Sequence, residues 1–253
     1  MYGNYFLAFC DILGFSDLVT KSEISDVVDQ SLSLFRRMLH YSMHQVDFPE
    51  TPPELSVLQS HEDVGLAWFS DSIFLYSRRD DDKAVRAVLR TVEWLIWTTV
   101  STGATLVRCG ISYGPAFIDA PNSLFVGRAI VEAAKLESQQ AWAGGALTRA
   151  ACDRLPEKVR GGAYADWPVR PYAIPLRDGG TYNGLAVEWT WGVHHPGFEL
   201  RWSDEHEDPT AEDWLAKKDV CTKFVNTRAF HDTGHCCERR SGARRGDERN
   251  DVA

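Results

Sequence analysis

Long hydrophobic runs are missing from this 253-residue sequence. Its most apolar helical stretch, Trp94-Leu95-Ile96-Trp97, is far too short to cross a bilayer, which needs about 20 consecutive apolar residues. Positive charge is scarce as well, with 27 Lys and Arg against 36 Asp and Glu and a net charge of −9. That balance argues against nucleic acid as the main partner. It also means that a polyphosphate ligand would need metal and local donors, because the overall field repels it. No basic-plus-apolar leader is evident, since Met1-Tyr2-Gly3-Asn4 runs straight into the first strand, and no internal repeat is found. The six cysteines (Cys10, Cys109, Cys152, Cys221, Cys236 and Cys237) are scattered. Two of them fall within expected core strands, so reduced thiols in a cytoplasmic protein are the expectation. His231, His235, Cys236 and Cys237 fit no common structural-zinc spacing, and zinc is not expected there.

What is present is material for a core. Apolar residues make up 44% of the chain and include nine Trp, so most of it is expected to fold as one domain with an appendage, or as two small ones. Residues 3–11 read as a buried strand. From Ser16 the apolar positions Ile24, Val27, Val28, Leu32, Phe35, Met38 and Leu39 recur at helical spacing, predicting one long helix to about Gln45. After a loop marked by Pro49, Pro52 and Pro53 come strands at about 55–69 and 73–78, joined as a hairpin around Ser70-Asp71-Ser72. Asp80-Asp81-Asp82 opens a second helix, with Val85, Val88, Leu89, Val92, Leu95 and Ile96 as its buried stripe and Gly103 as its stop. Trp94 and Trp97 on it read as core or dimer packing.

A strand over 105–112 then turns at Gly114-Pro115 into Ala116-Phe117-Ile118. The order so far is βαββαβ, an α+β ferredoxin-like arrangement with an antiparallel sheet and helices on one face. Beyond it the pattern predicts a helix after Gly127, a strand near Gly145–Leu147 and a helix through Leu155. Late strands are expected at Tyr172–Leu176 and Leu185–Trp191, then a helix over Trp214–Phe230. From His231 on, nothing periodic remains, and the Arg-rich end is expected to be disordered.

The chemistry concentrates at two strand ends. Ala8-Phe9-Cys10-Asp11-Ile12-Leu13-Gly14-Phe15-Ser16 delivers Asp11 to a strand tip followed by a glycine turn and a helix start, where backbone N–H groups can cradle phosphate. Asp71 ends a second apolar run, Leu66-Ala67-Trp68-Phe69-Ser70. Paired strand-tip carboxylates beside such a turn point to a divalent metal and a polyphosphate. Asp at a strand end is also an ordinary turn former or helix cap.

Four pieces in order carry a family resemblance. Asp11-Ile12-Leu13-Gly14-Phe15, Phe69-Ser70-Asp71-Ser72, Arg108-Cys109-Gly110-Ile111-Ser112-Tyr113-Gly114-Pro115 and Gly127-Arg128-Ala129-Ile130-Val131-Glu132-Ala133-Ala134-Lys135 together resemble a class III nucleotide cyclase catalytic domain. The match spans roughly residues 4–190, with Ser70 standing where the family has glycine. It implies a catalytic domain over 1–195, a C-terminal helical extension over 196–230 and a tail over 231–253. The positions that read a purine base in the family hold Ala67 and Leu124, whose side chains cannot hydrogen-bond. Val131 stands at the ribose-orienting asparagine position and Lys135 at that of the transition-state arginine. This pattern is similar to the bacterial pyrimidine cyclases of Pycsar anti-phage systems, as are Tyr172-Ala173-Ile174-Pro175 and Lys223-Phe224-Val225-Asn226-Thr227. With the alignment slipped by one or two positions, Asn122 or Ser123 would take the base-reading role.

The resemblance implies conversion of UTP or CTP to the 3′,5′-cyclic monophosphate and pyrophosphate, a second messenger for a separate effector. Asp11, Asp71 and the Ile12 carbonyl would hold two Mg²⁺ or Mn²⁺ ions, and the N–H groups of Leu13, Gly14, Phe15 and Ser16 would hold the phosphates. Lys135 would stabilise the α-phosphate; otherwise it is a solvated lysine on a helix face. Arg108, on a central strand, either pairs with a core carboxylate or faces the nucleotide. Arg177 either reaches the terminal phosphates or lies on the surface. A homodimer with composite active sites is also implied. The alternatives are an adenylate or guanylate cyclase with altered base contacts, and a catalytically degenerate nucleotide-sensing module.

Overall fold

The first strand is apolar on both sides, and both sides are covered. β1 (Tyr2–Leu13) sends Phe6, Ala8, Cys10 and Ile12 into one hydrophobic cluster, and Tyr5 and Leu7, with Phe9 partly buried, into another. Period-two alternation thus feeds two cores from one strand. The protein, seen here as a computed structural model, is described over residues 2–102, 105–164, 166–190, 226–227 and 229–230.

After β1 come helices α1 (Phe15–Lys21) and α2 (Ile24–Asp26), a π-helical segment (Val27–Leu32), α3 (Ser33–His44) and α4 (Leu55–Leu58). The hairpin β2 (Val64–Phe69) and β3 (Ser72–Ser77) follows, then α5 (Asp82–Thr102) and β4 (Leu106–Asp119). A 3₁₀ turn leads to β5 (Leu124–Gly127), α6 (Arg128–Gln139) and β6 (Gly145–Leu147). Two short helices, α7 (Arg149–Arg154) and α8 (Glu157–Arg160), precede β7 (Val169–Pro175) and β8 (Thr181–Val187).

Among the described residues, all eight strands form one mixed sheet, ordered β2-β3-β1-β4-β6-β8-β7 with β5 beside β4. Its first four strands are antiparallel throughout, with the strand order of a ferredoxin-like core, and β6 joins β4 in parallel. α3 and α5 cover one face through Phe35, Met38, Leu39, Val88, Leu89, Val92 and Ile96. On the other face lies α6, with Ala129 and Ala133 against Leu7, Phe74, Ala116 and Ile118. The approach there is close. A Cβ on Gly110 of β4 would stand 2.0 Å from the Ala133 carbonyl oxygen and 2.6 Å from the Glu137 nitrogen. Glycine at this position lets the helix backbone rest directly on the strand.

Several expectations are corrected. The long helix from Ser16 is interrupted: Ser22 adopts an extended conformation and ends α1, and only Val27 of the next apolar trio is buried, Ile24 and Val28 being exposed. The strand expected from residue 55 starts only at Val64. Before it, Leu55–Leu58 form a helical turn, and His61 Nδ1 accepts from the N–H groups of Asp63 and Val64, making the bend that admits the strand. Gly114-Pro115 does not turn. β4 runs straight through, with Tyr5 and Asn4 of β1 opposite, because β1 offers an unbroken template of paired residues. The strand expected at 185–191 begins at Thr181, since the turn after Pro175 starts the pairing there. The two helices of the βαββαβ core, α3 and α5, do share one face as expected, and α6, which follows that core, covers the other.

Cys10, Cys109 and Cys152 are free, and the first two are buried side by side. Phe230 is buried against Trp142, Tyr172 and Trp189. Gly103, Cys221, His231, His235, Cys236, Cys237 and the expected tail lie outside the described residues. So does the expected helix Trp214–Phe230, apart from Asn226, Thr227, Ala229 and Phe230.

Candidate active site

Alternation puts Asp11 of β1 and Arg108 of β4 on the same face, beneath the C-terminal turns of α6. They are direct register partners across the antiparallel ladder, and Asp11 is also opposite Ser72 of β3. The turn of the β2–β3 hairpin is tied to this strand end, because the Ile12 N–H donates to the Asp71 carbonyl at 3.0 Å. Asp71 is therefore fixed at the tip of β1, with both aspartates half-buried. The turn itself is pinned by the Trp68 indole N–H, which donates to the Ser70 carbonyl at 2.7 Å. Ser70 has φ +54°, so the serine occupies left-handed backbone that glycine would accept without penalty.

Beyond Asp11 the chain turns at Gly14, φ +82°, which opens α1 without a side-chain cap. Leu13 and Phe15 are half-buried and Ser16 is exposed. Behind this turn, on the α3 side, lies a cavity of ≈ 430 Å³ lined by Ile12, Leu13, Phe15, Leu32, Phe35 and Met38 among others. Ile12 faces that cavity, and Asp11 faces the opposite side.

Of the two readings open for Arg108, a core carboxylate is what it meets. Its side chain is almost fully buried, and Nε donates to Glu137 Oε1 at 2.5 Å. Nη1 donates to the Gln140 carbonyl at 3.3 Å, and Nη2 lies 3.4 Å from Asp11 Oδ2. Gln140 is held in turn, its amide donating to the Cys109 and Leu136 carbonyls and accepting from the Trp142 indole. Burial pushes the Glu137 carboxyl up, while Arg108 pulls it down; the Asp11 charge adds to the rise and the Arg177 charge opposes it. Arg177, exposed at the β7–β8 turn, is thereby brought to the same end of α6, where its N–H donates to the Gln139 carbonyl at 2.9 Å.

Lys135 is set apart from this cluster. It is exposed on α6 and lines a groove of ≈ 440 Å³ with Arg128, Glu132, Gln139, Arg149 and Tyr182. Among the described residues it forms no ion pair. The structure thus gathers Asp11, Ile12, Asp71, Arg108 and Arg177 around one strand end and leaves Lys135 on a neighbouring surface. Ala67 is half-buried with Phe9, Phe74 and Phe125, whereas Leu124 is exposed on β5. Asn122 donates its side-chain amide to Asp119.

Glu137 and Gln140 were not among the expected site residues. A signal for Glu137 was present: it sits eight residues after Ala129 and four after Ala133, on the apolar stripe of α6, where a carboxylate must find a cation.

No protein-family model matches the chain, and no curated protein matches it. Among solved structures it is similar to the catalytic core of a rhodopsin-guanylyl cyclase with converted specificity in complex with ATPalphaS. That likeness has 17% identity and a TM-score of 0.48, covering 74% of this chain and 95% of the other. A bacterial light-regulated adenylyl cyclase gives 17% identity and 0.47 over 75% and 92%. An adenylate cyclase from Trypanosoma brucei in its monomeric state gives 15% and 0.44 over 78% and 92%. With TM-scores of 0.48 and below, the roles of individual residues rest on the geometry above.

Proposed function

We propose that this chain is a nucleotidyl cyclase that converts a nucleoside triphosphate to its 3′,5′-cyclic monophosphate and pyrophosphate. The observation that carries the reading is the joining of the Asp71 turn to the Asp11 strand end through Ile12, directly before the Gly14 turn. The donor set suits Mg²⁺ or Mn²⁺. Among the described residues no group of three or more His, Cys, Asp or Glu side chains is arranged to hold a metal. Such ions need only one or two carboxylates, completed by water and substrate phosphates. Asp11, Asp71 and the Ile12 carbonyl would hold two of them, which supply a more acidic ribose hydroxyl and neutralise phosphate charge.

The chain's own groups do the positioning. Backbone N–H groups of Leu13, Gly14, Phe15 and Ser16 bind the phosphate tail, and Arg177 reaches its far end. Arg108 adds positive charge beside Asp11. Lys135 supplies a point charge to the α-phosphate. Its separation from Asp11 suits a homodimer in which each site takes carboxylates from one protomer and Lys135 from the other. The exposed apolar residues Leu124, Val126 and Val131 support an interface on that side. Ala67 and Leu124 offer no hydrogen-bonding side chain to a purine edge, which favours a pyrimidine, UTP or CTP. The product would activate a separate effector in anti-phage defence. No described helix is long and apolar enough to cross a membrane, and we place the reaction in the cytoplasm.

The test is incubation of the purified protein with each nucleoside triphosphate and Mn²⁺, followed by identification of cyclic products, with Asp71→Asn as control. A cyclic pyrimidine nucleotide is expected. Cyclic AMP or GMP alone would sink the base assignment, and no product from any nucleotide would favour a sensor.

A further inference from the structure

We infer that the cavity between the end of α3 and the first turns of α5 is a binding site for a small phosphate-type oxyanion. It shares no residue with the site around Asp11 and Asp71 and does not rest on how that site is read. The cavity measures ≈ 470 Å³ and is lined by His44 of α3, His61 of the bend before β2, and Lys83, Arg86 and Arg90 of α5. β2 starts beside it and ends at the Asp71 turn, from which β3 runs back. The cavity therefore lies at the opposite end of the hairpin from Asp71.

Donors without acceptors collect here. Lys83, Arg86 and Arg90 follow one another at i, i+3 and i+7, which places them on one face of α5. Two of them are committed, since Lys83 stands 3.1 Å from Asp63 and Arg90 stands 2.9 Å from Glu93. The two carboxylates that line the cavity are committed as well. Asp63 is shared between Lys83 and Arg79, and Asp82 stands 3.0 Å from Arg154. Arg86 differs: among the described residues it forms no ion pair, and its buried Nε has no hydrogen-bond partner. Its guanidinium is held over the Trp167 ring, 4.8 Å from the centroid, so it is positioned without being neutralised.

The imidazoles complete the set. His44 Nε2 is buried and likewise unpartnered. His61 Nδ1 accepts from the N–H groups of Asp63 and Val64, so the proton of the neutral ring sits on Nε2 and can be donated. A buried donor left without an acceptor is costly, and ligand oxygen at these nitrogens removes that cost. A planar carboxylate is satisfied by one guanidinium fork. Donors on three separate elements around one space suit a tetrahedral oxyanion instead. Its occupant would tie the end of α3, the bend before β2 and α5 together.

The test follows the imidazole resonances of His44 and His61 by NMR as inorganic phosphate replaces chloride, at fixed pH and ionic strength and without divalent metal. In wild type both are expected to move along one saturating curve. Arg86→Met keeps an apolar stem against Trp167 but removes the charge. It is expected to weaken phosphate about tenfold or more, as the loss of a charged hydrogen bond requires. Arg177→Ala, at the other end of the sheet, is expected to leave the curve unchanged. Resonances that do not move with phosphate would overturn the site, as would equal affinity in folded Arg86→Met and wild type. Should Arg86→Met fail to fold, His44→Phe read at His61 is expected to weaken phosphate about threefold or more, and equal affinity there overturns the site. A curve lost in Arg177→Ala and kept in Arg86→Met would assign the phosphate elsewhere and overturn it too.

Discussion

Asp11 and Arg108 face each other across the β1–β4 ladder, and 3.4 Å separates the Asp11 carboxylate from a guanidinium that is bonded more tightly elsewhere. The pair lies where three parts of the fold meet: the end of the first strand, the middle of the sheet and the last turn of α6. Backbone register alone makes them neighbours. A third residue, Glu137 of α6, accepts from Arg108 Nε at 2.5 Å.

The metal reading makes a sharp demand on Asp71. Its backbone carbonyl holds Ile12, but its carboxylate is half-exposed at a turn. Asp71→Asn is therefore expected to fold with an unfolding temperature close to wild type while losing more than about a hundredfold in cyclase activity, as the loss of a metal ligand requires. Cyclisation at wild-type rate by a folded Asp71→Asn would remove Asp71 from the site.

Gly110 should not tolerate even one methyl group. The added Cβ would meet helix backbone at 2.0 Å, and backbone has no rotamer by which to retreat. Gly110→Ala is expected to cost at least about 1–3 kcal/mol, seen as a lower urea midpoint, because α6 must lift from β4. An unchanged midpoint would mean that helix and strand are less closely packed.

At the hairpin, the left-handed conformation of Ser70 separates two substitutions. Left-handed backbone costs an ordinary L-residue about 1–2 kcal/mol, and a branched side chain suffers most. Ser70→Val is expected to lower stability by about 1 kcal/mol or more, while Ser70→Gly should not lower it. Melting temperatures in the opposite order would show that the turn changes conformation on substitution.

Glu93, buried on α5, predicts a pH dependence. Burial pushes its carboxyl up to about 8 in spite of Arg90 at 2.9 Å. The folded state thus holds this proton more tightly than the unfolded chain, whose ordinary value is near 4.5. The contribution of Glu93 to stability is complete below about 4.5 and declines as pH rises toward about 8. Wild type relative to Glu93→Gln should lose a few kcal/mol across that window, measured as the difference in urea midpoints. A difference that does not vary with pH would place a compensating charge beside Glu93.

Local chemistry determined much of this protein from the sequence alone. The βαββαβ order is legible because helical and strand periodicities are properties of short windows, and Asp11 and Asp71 are legible because each ends an apolar run at a turn-forming residue. The breaks at Ser22 and Val64 escaped the same reasoning, since capping and the His61 bend overrode an apolar pattern that suited either element. What tertiary structure alone decided is the company Arg108 keeps. Its bond to Glu137 spans 29 residues and depends on the β1–β4 register, on the side of the sheet α6 covers and on the absence of a side chain at Gly110. A charge on a central strand announces that it needs a partner. Which carboxylate engages it most closely follows only from the packing of a helix against that strand.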